Sequence, residues 1–338
     1  MIKATVNLNK IKQNALVVKG YIGGKKLCAV VKSNAYGHGL CEVANALYGI
    51  ADYYAVASVK EGVKLKYAGI DTPILVLVPT KEIALAVRFG LDITVCDYHT
   101  LVVASNIAKC LKKSITVHIK YDTGMHRFGL NNLAELEKCL FFIRRNGHVK
   151  LGGIYSHFSN AIDAEKTRKQ FLAFATPCLA VKKLFPNAIR HISASGGIIT
   201  NANYTLDMVR VGLLLYGYPP FDNDKITVNP AMTVTTNVVG HRQVNGGDTF
   251  LYGNNVQAKS ITTTLLDYGY ADGFSYSDSG VVGNRCMNTC AVKGNFTGEY
   301  TLLNGSQQLQ ELVFLRNSIP YEVLTSITKN ACFEYIDN

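Results

Sequence analysis

No apolar run in the 338-residue chain is long enough to cross a bilayer as a helix, so no membrane-spanning helix is expected. The first ten residues, MIKATVNLNK, lack the apolar stretch of a secretory signal, so a cytoplasmic location is expected. The nine cysteines form no C-x-x-C pair, and their odd number and wide scatter read as reduced thiols. Cys286 and Cys290 have no second ligand pair at zinc spacing, so no metal site is expected. The formal charge is +11, but the lysines are dispersed, as in VKEGVKLKYAG, with no dense basic run and no basic stripe interleaved with aromatics. Nucleic acid is therefore not an expected partner. The charge fits a solvated surface that also attracts small anions. No G-x-G-x-x-G follows an early strand, which counts against an open dinucleotide-binding sheet.

What is present is ample core material: 48% of residues are hydrophobic and only 17% charged. The length predicts two domains, or one large barrel with an appendage. Eight short β-rich runs occupy 26–32, 53–58, 73–78, 92–96, 115–120, 151–157, 188–195 and 206–217. Stretches of helical period separate most of them, so the strands are expected to be parallel, with crossover helices. Eight such units predict a closed (β/α)8 barrel of the TIM type, placed at 10–220. Beyond Gly217 the texture changes. PPFDNDKITVNP reads as a linker, and Thr- and Val-rich alternating segments with Gly and Asn turns follow (231–244, 248–253, 260–269, 281–294, 299–305). These predict a C-terminal antiparallel β-domain at 221–338, with residues 1–9 packing against it and a helical piece at 307–329.

One stretch concentrates the chemistry. In CAVVKSNAYGHG a buried-strand pattern ends in Lys32, followed by Ser, Asn, Tyr36 and two glycines. A lysine leaving a core ordinarily just reaches solvent. In a β/α barrel, however, catalytic groups gather at the C-terminal ends of strands. The other strand ends carry Lys120 with Arg127 beyond it, Ser156-His157, Ser193-Ala194-Ser195 and Arg210-Val211-Gly212. Each alone has a structural explanation. Together they form a mouth rich in cations, hydroxyls and backbone N–H groups and poor in carboxylates, which favours a phosphate. A phosphate-bearing cofactor beside a strand-end lysine points to pyridoxal 5'-phosphate held as a Schiff base.

The segment AVVKSNAYGHG resembles the cofactor-lysine motif of the alanine racemase family, a fold-type III group of pyridoxal-phosphate enzymes. KYDTGMHRFG, GIYSHFS, HISASGG, DMVRVGLLLYG, LYGNN, GYADG and CMN follow in that family's order, from Lys3 to about Ser326. The resemblance implies racemisation of alanine by two bases. Lys32 would bind the cofactor and move a proton on one face; Tyr252 of a partner subunit would act on the other. A phenol ordinarily titrates near ~10, so its use as a base implies tuning, here through His157 and Arg210. Arg210 would face the cofactor's ring nitrogen and disfavour its protonation, which limits side reactions. Tyr36, Ser195, Gly212 and Leu213 would hold the phosphate. Arg127 would bind the substrate carboxylate, Lys120 would carry a carbamate, and Tyr270 with the Met287 backbone would contact substrate across a head-to-tail homodimer with shared sites. The implied role is supply of D-alanine for peptidoglycan.

The chain also departs from the family pattern. Ala194 stands where Asn is usual, His126 replaces a Gly, Asn288 replaces an Asp, and the stretch between GYADG and CMN is short. The usual pocket-narrowing tyrosine is expected to fall at Thr328 or Lys329. A polar residue there leaves open a racemase for serine or another small amino acid. A non-enzymatic pyridoxal-phosphate-binding protein is a further alternative, but single-domain carriers lack a segment like 231–338.

Overall fold

A computed structural model describes residues 2–252, 259–274 and 280–337. Eight parallel strands form the first sheet: β2 (Lys26–Val30), β3 (Tyr53–Val56), β4 (Ile74–Val76), β5 (Asp92–Val95), β6 (Ile115–Lys120), β7 (Val149–Tyr155), β8 (Ile189–His191) and β9 (Met208–Val211). Their order is β8-β7-β6-β5-β4-β3-β2-β9. The seam between β8 and β9 closes by Asp207 N–H to Arg190 O (3.0 Å) and Arg210 N–H to Ser193 O (3.0 Å). Below it the Arg190 guanidinium donates two bonds to the Asp207 carboxylate, at 2.7 and 2.8 Å. The eight strands fall within or beside the eight predicted runs. The last two runs are shorter than expected, because helix Ser195–Thr200 starts after β8 and a 3-10 turn, Leu213–Tyr216, follows Gly212.

Helices connect these strands, and their starts are legible in local chemistry. Ser58 caps helix Val59–Tyr67 in a reciprocal box with Glu61, and Asp97 and Asn132 cap helices Tyr98–Cys110 and Leu133–Arg144. None of the described helices is long and apolar enough to cross a membrane.

The second sheet contains β1 (Ile2–Asn7), β10 (Met232–Val244), β11 (Ile261–Leu266), β12 (Cys290–Lys293), β13 (Glu299–Asn304) and β14 (Cys332–Ile336), in the order β12-β11-β10-β1-β14 with β13 also on β10. All its pairings are antiparallel except β1 with β14. The N-terminal strand therefore belongs to this sheet, its alternate residues Ile2, Ala4 and Val6 buried.

Three expectations need correction here. The predicted strand at 248–253 is absent over its described part, 248–252, which turns through left-handed Leu251 (φ 53°); Gly253 lies outside the described residues. In the stretch 281–294 the strand is confined to β12, to which Val281 adds a single antiparallel bridge at Val292. The helical piece at 307–329 is two helices, Ser306–Leu315 and Pro320–Ile327, broken at left-handed Asn317 and restarted by Pro320 at the first helical turn. The 219–230 linker is pinned by Asn14, whose amide spans Asn229 N–H and O and Leu215 O.

Candidate active site

The reactive end of the barrel is built from backbone conformation first. Strand β2 stops at Val30, and Ser33, Asn34, Ala35 and Tyr36 all take left-handed dihedrals (φ 53–54°). Such a run costs roughly 1–2 kcal/mol per residue. It is held by Ala35 N–H to Val31 O, by Gly39 N–H to Asn34 O, and by the Asn34 side chain accepting from Leu40 N–H. Glu61 accepts from Ser33 N–H at 2.6 Å and ties the turn to the exit of β3. The turn directs Lys32 and Tyr36 into the same cavity.

That cavity encloses about 360 Å³. Eight of the predicted residues line it: Lys32, Tyr36, Arg127, His157, Ser195, Arg210, Gly212 and Leu213. Tyr155 and Tyr321 line it too and escaped the sequence reading. Tyr155 had a usable signal: within the predicted run 151–157 it lies two residues before His157, which in an extended segment puts both on one face. Tyr321 had none, because only packing of helix Pro320–Ile327 on the Lys32 turn brings its ring within 5.6 Å of Tyr36. Thr328, one candidate for the narrowing residue, is buried and bonds Leu324 O; Lys329 is exposed. Neither lines the cavity, and the aromatic ring at this wall is Tyr321.

One side of the cavity is a cradle of small and hydroxyl groups. Ser195 Oγ accepts from Gly212 N–H at 3.2 Å, and a Cβ on Gly212 would lie 2.6 Å from the Tyr36 hydroxyl oxygen. The opposite side is cationic. Arg210 is buried and donates to Ser156 O, Ile192 O, His191 Nδ1 and His157 Nδ1, at 2.7 to 3.2 Å. Burial lowers its guanidinium to about 10. Lys120, buried under the Tyr155 ring, donates only to Tyr121 O among its described bonds. Burial, then Arg210, lowers its ammonium to about 8. Lys32 is lowered by burial and by Arg127, against the pull of Glu61. His157 falls well below the imidazole range through burial and through Arg210. Asp122 shapes the loop that carries Arg127, accepting from Gly124, Met125 and His126 N–H. His126 is left-handed there (φ 55°), the conformation that suits the glycine usual at this place.

The predicted residues of the second sheet do not line the cavity within one chain. Tyr252, Tyr270 and Met287 are 81%, 41% and 56% exposed. They share one surface: Tyr270 N–H bonds Cys286 O, Ala271 N–H bonds Met287 O, and the Asn284 amide bonds Tyr252 O. Part of LYGNN, 253–255, and part of the shortened stretch, 275–279, lie outside the described residues.

Comparison with known proteins decides the family. Residues 6–220 match the model of the alanine racemase N-terminal domain, and residues 231–335 match that of its C-terminal domain. The chain belongs to the alanine racemase family. Alanine racemase 2 of Caldanaerobacter subterraneus is 32% identical, over 99% of this chain and 94% of that protein. Among solved structures, the alanine racemase of Clostridium difficile 630 superposes with a TM-score of 0.95 at 29% identity, covering 100% of this chain and 96% of its own. The alanine racemase of Bartonella henselae, solved with covalently bound pyridoxal phosphate, gives 0.89 at 25% identity and covers 99% of both chains. This alanine racemase homologue is thus an isomerase of the amino-acid racemase class on a TIM-like barrel with an antiparallel-rich second domain.

Proposed function

We propose that the chain interconverts L- and D-alanine with pyridoxal 5'-phosphate, using Lys32 on one face of the α-carbon and Tyr252 of a second copy on the other. The observation that carries this reading is the single cavity in which the Lys32 amine faces a cradle of Tyr36, Ser195, Gly212 and Leu213. That cradle fits a phosphate: a Cβ at Gly212 would fill it, and the lining holds cations without a carboxylate. Lys32, Tyr36, Ser195, Arg210, Gly212 and Leu213 would hold the cofactor, with His157 beside Arg210. When bound, it supplies a ring that takes up the electron pair left by the departing α-proton.

The rest is the work of the chain's own groups. Arg127 binds the substrate carboxylate and orients the α-carbon. In one direction the Tyr252 oxygen takes the α-proton while the Lys32 ammonium returns one to the opposite face. In the other direction the roles reverse, so inversion leaves the proton count unchanged. His157 and Arg210 stabilise the phenolate. Tyr270 and the Met287 backbone close the site from the partner, which requires a head-to-tail homodimer. Lys120 has a fraction of free amine near neutral pH and a cationic neighbourhood. Reaction with CO2 gives a carbamate and one released proton, turning the cation into an anion that orients Arg127. We read 10–220 and 221–338 as the two domains, with 1–9 on the second, and the setting as a cytoplasmic supply of D-alanine for peptidoglycan.

The test is proton exchange in heavy water. Each enantiomer of alanine should lose its α-proton and optical rotation should fall to zero; retention of rotation by both enantiomers rejects the reading. Serine is the second reading, favoured by Ala194, whose methyl is all that this position contributes between the site and a neighbouring cavity of about 370 Å³. Faster turnover of L-serine than of L-alanine would select it.

A further inference from the structure

The barrel interior holds a line of polar side chains that the reaction above does not use. Asp92, the first residue of β5, accepts from the Tyr53 hydroxyl at 2.5 Å and faces His118 Nε2 at 3.6 Å. His118 Nδ1 lies 3.0 Å from His191 Nε2, and His191 Nδ1 lies 2.8 Å from Arg210. Arg210 then reaches His157 at the mouth. Asp92, His118, His191 and Arg210 are all buried, where barrels of this type usually stack branched aliphatic side chains.

The direction of the line follows from what each group can donate. A guanidinium has only donors, so His191 Nδ1 must be bare. Burial and the neighbouring Arg210 hold His191 neutral, so its proton sits on Nε2 and is donated to His118 Nδ1. His118 then carries its own proton on Nε2, which faces the Asp92 carboxylate across 3.6 Å, beyond hydrogen-bond length, and has no hydrogen-bond partner among the described residues. The negative charge of Asp92 favours the same assignment through space, so both ends bias the line in one direction.

The backbone accommodates one ring of this line. Val117 pairs with Leu151 and His118 with Gly153, so a bulge leaves Gly152 without a partner. A Cβ on Gly152 would lie 2.6 Å from His118 Nε2, and one on Gly153 2.8 Å from its Nδ1. Tyr155 stacks on His191 at 4.9 Å.

We infer that Asp92 is a positioning residue for Arg210, acting through His118 and His191 by fixing the proton of both rings on Nε2 and so keeping His191 Nδ1 open as the guanidinium's acceptor. The inference rests on Arg210 being part of the working site. Long-range proton–nitrogen spectra of the purified holoprotein, labelled with nitrogen-15 histidine, should show a bare Nδ1 and a protonated Nε2 on both rings. In Asp92→Asn the His191 nitrogens should shift although they do not touch residue 92, and kcat should fall about tenfold with KM unchanged. A proton on Nδ1 of either ring, or a change confined to His118, overturns the inference. If Asp92→Asn does not fold, Tyr53→Phe removes only the hydroxyl on Asp92. It should move the same His191 signals by less, and unmoved signals there overturn the inference as well. The spectra need no turnover: expected spectra from a protein that exchanges neither enantiomer would reject the racemase reading alone.

Discussion

The barrel mouth and the exposed edge of the second domain hold the residues proposed for the site in opposite ways. At the mouth, Lys32, Tyr36, Arg210 and Ser195 already face one cavity, restrained by a left-handed turn and by buried hydrogen bonds. At the edge, Tyr252, Tyr270 and Met287 lie exposed on a shared surface and do not line that cavity. A group that must bind a cofactor tightly gains from being fixed in advance. A group that arrives with another copy must stay at the surface until that copy docks. The contrast therefore favours a site completed between chains.

The largest effect should come from breaking the mouth. Lys32→Ala should lower racemisation by about 10²–10⁴-fold or more and remove the visible band of the bound cofactor. Borohydride treatment should trap one adduct, on the peptide holding Lys32; an adduct elsewhere would reassign the amine.

Breaking the edge should cost nearly as much. Tyr252→Phe should lose about 10²–10⁴-fold of racemisation while the cofactor band persists. Mixing the Lys32→Ala and Tyr252→Phe chains under conditions of subunit exchange should then restore about one quarter of the wild-type rate, because half the dimers carry one intact site. No restoration would mean that both groups serve the same chain.

Acid should strain the barrel more than the second sheet. Burial holds His38 at about 4, and burial with Arg210 holds His191 far below its ordinary range. Both rings are neutral when folded and gain a proton near ~6.5 when unfolded. The folded value is depressed, so stability is fully present above ~6.5 and is lost as pH falls below it. The loss is up to ~1.4 kcal/mol per pH unit per ring. Urea midpoints measured at pH 7, 6 and 5 should fall steadily.

The smallest effects compare glycines in the two regions. Gly152→Ala drives a methyl to 2.6 Å from His118 and should cost about 1–3 kcal/mol. Gly240 in β10 has nothing within 4 Å of its would-be Cβ, so Gly240→Ala should stay within about 0.5 kcal/mol of wild type. Equal losses by denaturant melts would mean that the bulge does not fit tightly around the His118 ring.

The same contrast marks how much the sequence disclosed. Parallel strands buried on both faces write themselves as apolar runs, so all eight barrel strands were legible, as were the polar groups at their ends. The second sheet was harder. In β14, Cys332–Ile336 is exposed or half-buried throughout, so no alternation marks it, and it pairs with β1 more than 300 residues away. Tyr321 was hidden for a similar reason: its place in the cavity depends on a helix docking that no local pattern encodes. The His118 line was hidden because a buried histidine in ITVHIK looks the same whether it fills space or aligns an arginine.

The docking of helix Pro320–Ile327 has a consequence for the order of synthesis. Gly37 takes a left-handed φ of 82°, and a Cβ there would collide with Thr328 and lie 2.7 Å from Leu324 O; the Tyr335 hydroxyl presses equally close on Gly39. The loop after Lys32 is thus sealed by residues that leave the ribosome about 300 codons later, or roughly 15–60 s at usual elongation rates. Until then a nascent chain carries Lys32 on a loop that these residues have yet to cover. Covering of that loop is accordingly a late event, and a prematurely terminated chain would leave Lys32 beside an unsealed turn.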